Sequence, residues 1–236
     1  MRIDIVTAFP NLFGSVFSES IIKRAQKKSL LKIKIHDLRQ FASGKRRTID
    51  DRPYGGGPGM VLLIEPLYKA YDSIRKKIKK TDSLTIVLSP QGEPFSQSVA
   101  ERLSRQKNLI LICGHYEGFD ERIINLTKGE ELSIGNYVLS GGEIPAMVVV
   151  DAVTRLLPGV LGDEESLLRE SFGSANPFLL DFPNFSSPRK FKGLSVPELL
   201  LNGNHREIEK WRMGEAIKKT RERRPDLIKP RDVDLK

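Results

Sequence analysis

The apolar positions of this chain alternate with polar ones at its start and then adopt a helical period. Arg2-Ile3-Asp4-Ile5-Val6-Thr7 predicts a strand, and Leu31-Lys32-Ile33-Lys34-Ile35 alternates as a second. Between them, residues 11–28 place apolar side chains at helical spacing and end in Lys27-Lys28, cations suited to a helix C-terminus. Leu84-Thr85-Ile86-Val87-Leu88 and Leu109-Ile110-Leu111-Ile112-Cys113 are short, β-rich apolar runs, separated by a helical stretch opened by Pro94. Strand–helix–strand units of this kind predict an α/β fold, a mostly parallel sheet flanked by helices on both faces. A further strand is expected from Ser133 to Leu139, then a helix from Glu143 to Leu157 that Pro158-Gly159 stops.

Beyond Gly159 the pattern changes. Residues 161–176 are acidic, then rich in Ser, Gly and Asn, and predict a flexible linker. Prolines punctuate the remainder of the chain, and one long helical stretch starts at Asn204, which has capping-box spacing to Glu207. From Arg206 to Arg224 there are eight Lys/Arg against four Asp/Glu. The expected organisation is a ligand-binding domain over 1–160, a linker over 161–176, and a small helical, basic domain over 177–236.

Composition narrows the function classes. The single Cys113 excludes an internal disulfide, and three scattered histidines suggest no metal centre. No apolar run approaches the roughly 20 residues of a membrane helix, and the strand-like N-terminus does not read as a signal peptide. A cytoplasmic protein with no membrane partner is expected. The net charge of +9 favours a polyanionic partner only if it joins a site.

Three strands run into polar or glycine-rich turns: Leu88-Ser89-Pro90-Gln91-Gly92, Cys113-Gly114-His115-Tyr116-Glu117-Gly118, and residues 134–142. Open parallel sheets bind ligands outside the carboxyl ends of their strands, and glycine lets backbone approach a ligand closely. Each turn alone could be only a turn; three together predict one composite pocket. Neither the dinucleotide nor the NTP phosphate-loop pattern occurs. The run Asp50–Met60, with its four glycines, reads as a loop beside a substrate.

These segments resemble the signature regions of the bacterial tRNA (guanine-N1)-methyltransferases, in that family's order and spacing. The resemblance rests on Asp50–Met60, Ser89–Gly92, Cys113–Arg122 and Ser133–Glu143, and extends through Pro158–Gly162, Gly203-Asn204-His205 and Trp211-Arg212. It implies a SPOUT methyltransferase fold with a deep trefoil knot, S-adenosylmethionine as cofactor, and a homodimer with composite active sites. Magnesium is associated with the family, although the residues here suggest no ligand cluster. The implied substrate is the anticodon stem-loop of tRNA, methylated on the guanosine immediately 3′ of the anticodon (position 37), which supports reading-frame maintenance.

By the same resemblance, Leu88, Ser89, Pro90, Gly114, Tyr116, Glu117 and Gly118 hold the cofactor. Ile134, Gly135, Asn136, Tyr137, Val138 and Leu139, with Gly141, Gly142 and Pro145, complete that set. Tyr116 and Tyr137 could equally be ordinary core or rim aromatics. Guanine N1 carries a proton at neutral pH, so the reaction needs a base and a group that holds charge on O6. The resemblance assigns the base to Glu170 and charge stabilisation to Arg155, which otherwise reads as a helix-terminus cation. Asp50, Arg52, Gly59, His205 and Arg206 are the implied tRNA contacts. An unpaired guanine is the sensible target, because N1 lies on the Watson–Crick edge.

The chain departs from the family at three places. Glu170 stands where an aspartate is expected, Asn136 likewise, and Asn184-Phe185-Ser186-Ser187-Pro188 replaces a His-Tyr-Thr-Arg-Pro run. The competing readings are a SPOUT methyltransferase acting on another RNA site and a non-catalytic RNA-binding relative.

Overall fold

The computed structural model describes residues 1–78, 82–162, 165–173 and 175–228. They form two compact units, Met1–Gly162 and Asp163–Lys236.

In the first unit β1 (Arg2–Thr7) leads through a 3-10 turn, α1 (Gly14–Phe17) and α2 (Ser20–Lys27) to β2 (Lys32–Asp37). A small antiparallel pair comes next, β3 (Asp50–Asp51) with β4 (Val61–Leu62), and then α3 (Ile64–Arg75). The chain continues through β5 (Ser83–Pro94), α4 (Gln97–Ser104), β6 (Asn108–Cys113), α5 (Arg122–Thr127), β7 (Glu130–Ser133) and α6 (Glu143–Arg155). β2, β1, β6, β5 and β7 lie side by side in that order, all parallel.

The sheet is buried on both faces, as parallel sheets require. Ile3, Ile5, Ile86, Leu88, Leu109 and Leu111 pack with Ala25 of α2, Leu103 of α4, and Ala146, Val149, Val150 and Val153 of α6. The alternate residues Val6, Val87, Ile110 and Ile112 pack with Leu67, Ala70 and Ile74 of α3 and Ile123 of α5. Each such isoleucine or leucine contributes about 1.5–3 kcal/mol by leaving water. Asp4 interrupts this pattern. It is wholly buried, and is held by the Arg2 guanidinium at 2.6 Å and His36 Nε2 at 2.7 Å.

Several expected boundaries move. The helix over 11–28 is broken into a turn and two short helices, with Ser20 at φ +48°. α4 opens at Gln97 under a Ser96 cap, because β5 continues to Pro94 and Phe95 N–H donates to the Ser133 carbonyl at 2.7 Å. The strand expected over 133–139 is instead β7, which ends at Ser133, since Gly135 at φ +151° turns the chain out of the sheet. α6 stops at Arg155, two residues short of the expected end. α3 was not legible in the pattern.

In the second unit α7 (Glu165–Arg169) falls within the segment expected as linker. Phe172 N–H donates to the Leu179 carbonyl at 3.1 Å, and Asp181 N–H to Ser171 Oγ at 2.9 Å, tying that segment to residues 179–181. A short hairpin, β8 (Lys190–Phe191) with β9 (Leu194–Ser195), precedes α8 (His205–Arg223). Asn204 caps α8 by accepting from Glu207 N–H at 3.4 Å. Buried Thr220 accepts from Leu180 N–H at 2.9 Å and so fixes α8 to the preceding chain.

Candidate active site

The carboxyl ends of β6, β5 and β7 stand next to one another in the sheet. β5 pairs with β7 up to Leu88 opposite Leu132, bulges outward, and resumes with Glu93 opposite Leu132. The return depends on Gly92, where a Cβ would lie 2.2 Å from Leu132 N and 2.3 Å from Glu131 C. The bulge, the 114–119 turn and residues 132–142 enclose a cavity of about 300 Å³, within the usual range for small-molecule sites.

Fifteen of the sixteen expected cofactor residues line this cavity; Asn136 does not. The chain also brings Gln91, His115, Phe119, Glu121, Leu132, Ser133 and Ser140 to the wall, which are not among the expected cofactor residues. Most of them flank the expected residues within the same turns, so turn membership was the available signal.

Backbone contacts fix the wall. Gly142 N–H donates to the Gly114 carbonyl at 2.7 Å, joining the start of α6 to the end of β6. A Cβ at Gly142 would meet Cys113 Cα at 2.8 Å, so only glycine allows that approach. Tyr116 takes a left-handed φ of +62°, and Gly118 N–H returns to the His115 carbonyl at 3.0 Å.

Beneath the wall lies a buried polar cluster. Thr7 Oγ1 donates to Glu143 Oε1 at 2.7 Å, and His115 Nδ1 sits 3.4 Å from Glu143 Oε2. The His115 ring packs on Phe9 at 4.4 Å and meets Tyr116 edge-on at 4.9 Å. Burial, reinforced by the nearby Glu143 charge, pushes the Cys113 thiol well above its ordinary range, so it stays protonated.

Among the described residues the wall carries the carboxylates of Glu117 and Glu121 and no lysine or arginine. That suits a cationic ligand such as a sulfonium with an amino group, and disfavours a polyphosphate. Gly114, Gly141 and Gly142 let segments of the wall pack closely, since a Cβ at any of them would meet neighbouring protein atoms at 2.3–3.0 Å. S-adenosylmethionine fits the charge of this lining.

The loop from β3 to β4 docks on this wall. Glu117 N–H donates to the Met60 carbonyl and Leu62 N–H to the Gly118 carbonyl, each at 3.0 Å. Gly59 lies against Glu117, where a Cβ would fall 2.4 Å from its Cγ. Asp50 is half-buried and Arg52 is exposed, and both belong to the same unit as the cavity. Asp120 is engaged by Arg122 at 2.6 Å, and that hydrogen bond holds its carboxyl below the usual range.

The other candidates lie elsewhere. Pro145 borders the cavity, but Arg155 stands ten residues later, about 15 Å along α6. Glu170, His205 and Arg206 belong to the second unit, the last two exposed at the start of α8. Glu170 lines a small cavity there with Arg169, Asp181, Glu209 and Arg212.

A family model described as tRNA (Guanine-1)-methyltransferase TrmD matches residues 1–230. The chain is 54% identical over 228 residues to the tRNA (guanine-N(1)-)-methyltransferase of Dictyoglomus turgidum, covering 97% of this chain and 90% of that one. To the protein of the same name in Desulforamulus reducens it is 49% identical, covering 100% and 91%. To that of Clostridioides difficile it is 47% identical, covering 97% and 98%. With a match over residues 1–230 and such identity across nearly its full length, the chain belongs to the tRNA (guanine-1)-methyltransferase family.

Proposed function

We propose that the chain is a methyltransferase that uses S-adenosylmethionine to methylate N1 of the tRNA guanosine immediately 3′ of the anticodon (position 37), supporting reading-frame maintenance. The observation that carries this reading is the cavity at three adjacent strand ends, walled by glycine-rich turns with apolar side chains and two carboxylates. The relatives' shared name supports the reaction and the tRNA substrate.

When bound, S-adenosylmethionine supplies an electrophilic methyl group on a sulfonium. The turns from β5, β6 and β7 orient it, and alignment of nucleophile with methyl is most of the catalytic task. Glu170 removes the N1 proton of guanine, and Arg155 neutralises the charge that develops on O6. The 50–62 loop holds the guanosine over the cavity. Among the described residues no group of three or more His, Cys, Asp or Glu could hold a metal ion, and no step passes through magnesium.

The active unit in this reading is a homodimer, with the cofactor turns of one subunit facing Glu170 of the other. The distance of Arg155 from the cavity along α6 supports a composite site. The reading includes a trefoil knot, which membership of the family supports. No helix among the described residues is long and apolar enough to cross a membrane, and the cytoplasm is where such a substrate is met.

Incubating the protein with radiolabelled S-adenosylmethionine and transcribed tRNA tests the function. Label should enter at N1 of one anticodon-loop guanosine. Label at another position, in another RNA, or in none would overturn the reading.

A further inference from the structure

The second unit holds a cavity of about 370 Å³ bounded only by its own residues. Its walls combine aromatic and cationic side chains: Phe182, Phe185, Trp211, Arg189 and Arg212. The Phe185 and Trp211 rings stand 6.4 Å apart at 46°. Phe185 is 48% exposed, so this pair is not sealed as a core pair would be. The Arg212 guanidinium lies over the Phe182 ring at 4.7 Å and is steadied by Glu209 at 2.7 Å, yet its Nε is buried without a hydrogen-bond partner among the described residues. Arg189 is exposed at the foot of the β8–β9 hairpin, where its carbonyl accepts from Val196 N–H at 2.9 Å.

We infer that this cavity receives one unpaired nucleobase of the RNA substrate, other than the methylated guanine, against Phe185 and Trp211, with its phosphate on Arg189. Aromatic side chains that stack bases beside a basic surface are the common means of holding single-stranded RNA, because every base has a π-face. Residues 175–228 carry eleven Lys/Arg against seven Asp/Glu, a balance of plus four that complements a phosphate backbone. A cavity of about 370 Å³ is ample for one base and its ribose. The inference rests on tRNA being the substrate.

The test is binding of the full-length protein to a fluorescein-labelled anticodon stem-loop RNA, by anisotropy. The RNA is used intact and with each unpaired loop position, except the target guanosine, made abasic in turn. The protein is used as wild type, Phe185→Ala and Phe185→Tyr, each with its thermal melt recorded. The expected result is a loss of about 5- to 150-fold in affinity for Phe185→Ala, the usual worth of one stacked base. Phe185→Tyr should keep wild-type affinity, and the salt dependence should be unchanged because phosphate contacts remain. One abasic position should weaken wild type by a similar factor while costing Phe185→Ala nothing more. A Phe185→Ala protein that binds like wild type, or a set of abasic RNAs that all bind wild type alike, would overturn the subsite while leaving the substrate intact. Failure of wild type to bind the intact stem-loop would instead overturn the tRNA reading itself, and this subsite with it.

Discussion

The hydroxyl of Thr7 donates to Oε1 of Glu143 at 2.7 Å, joining positions 136 apart in the chain. It ties the end of β1 to the first residue of α6, under the wall of the cavity at the strand ends. The other Glu143 oxygen faces His115, which lines that cavity. Thr7→Val leaves a buried carboxylate oxygen without its donor and should cost about 1–3 kcal/mol in urea unfolding. Glu143→Gln should leave the fold in place but weaken S-adenosylmethionine binding by calorimetry, since His115 loses its charged partner. Unchanged binding in Glu143→Gln would dismiss that link.

Two glycines should respond to alanine in opposite directions. At Gly142 the added Cβ meets backbone at 2.8 Å, which cannot step aside, so Gly142→Ala should abolish measurable cofactor binding. At Gly214, within α8, nothing lies within 4 Å, so Gly214→Ala should stabilise the protein by about 0.5–1 kcal/mol. Thermal melts and calorimetry on the two variants check the pair.

Glu170→Gln keeps shape and removes basicity. Single-turnover methylation should fall by roughly 10²–10⁴, with cofactor affinity unchanged. Glu170→Asp, which restores the residue the family expects, should be slower than wild type if the longer side chain is matched to its surroundings. An unimpaired Glu170→Gln enzyme would move attention to Asp181, which borders the same small cavity.

Composite sites can be read from mixed dimers. In the proposed mechanism a Gly142→Ala subunit lacks a working cofactor cavity and a Glu170→Ala subunit lacks the base. Each mixed dimer then carries one intact site if the two functions come from different subunits, so random mixing should recover up to about a quarter of the wild-type rate. No recovery would place both functions within one subunit.

Asp4 sets an acid limit. Burial works against its carboxylate, but hydrogen bonds from His36 and Arg2 outweigh it and hold the group below its ordinary range. The stabilisation is therefore present above the unfolded carboxyl value of about 3.9 and is lost as pH falls below it. Between about pH 5 and 3 the wild-type melting temperature should drop more steeply than that of Asp4→Asn.

The sheet was readable because each buried strand carries its own apolar signal, from Ile3 and Ile5 to Leu109 and Leu111. β7 lies earlier than expected because it opens with Glu130-Glu131, and because Ile134, Tyr137, Val138 and Leu139 after Ser133 resemble a strand only in composition. Glycine-rich turns marked the cavity wall, since its backbone segments can approach one another so closely only at residues without Cβ. The buried Thr7–Glu143–His115 cluster left no comparable trace, because its members lie far apart in sequence and become neighbours only when α6 packs on the sheet. Asp4 was likewise hidden, its alternation with Ile3 and Ile5 being that of any half-exposed strand.

Cys113 is the chain's single thiol, and it sits 1% exposed where β6 meets the cavity wall. A thiol reagent can therefore reach the protein only while that strand end is open. The labelling rate becomes a clock for local unfolding at the cofactor wall, with no engineered probe and no second site to confuse it. A ligand seated against Gly114 and Gly142 should slow that clock in proportion to its occupancy, so the one cysteine converts cofactor binding into a covalent count.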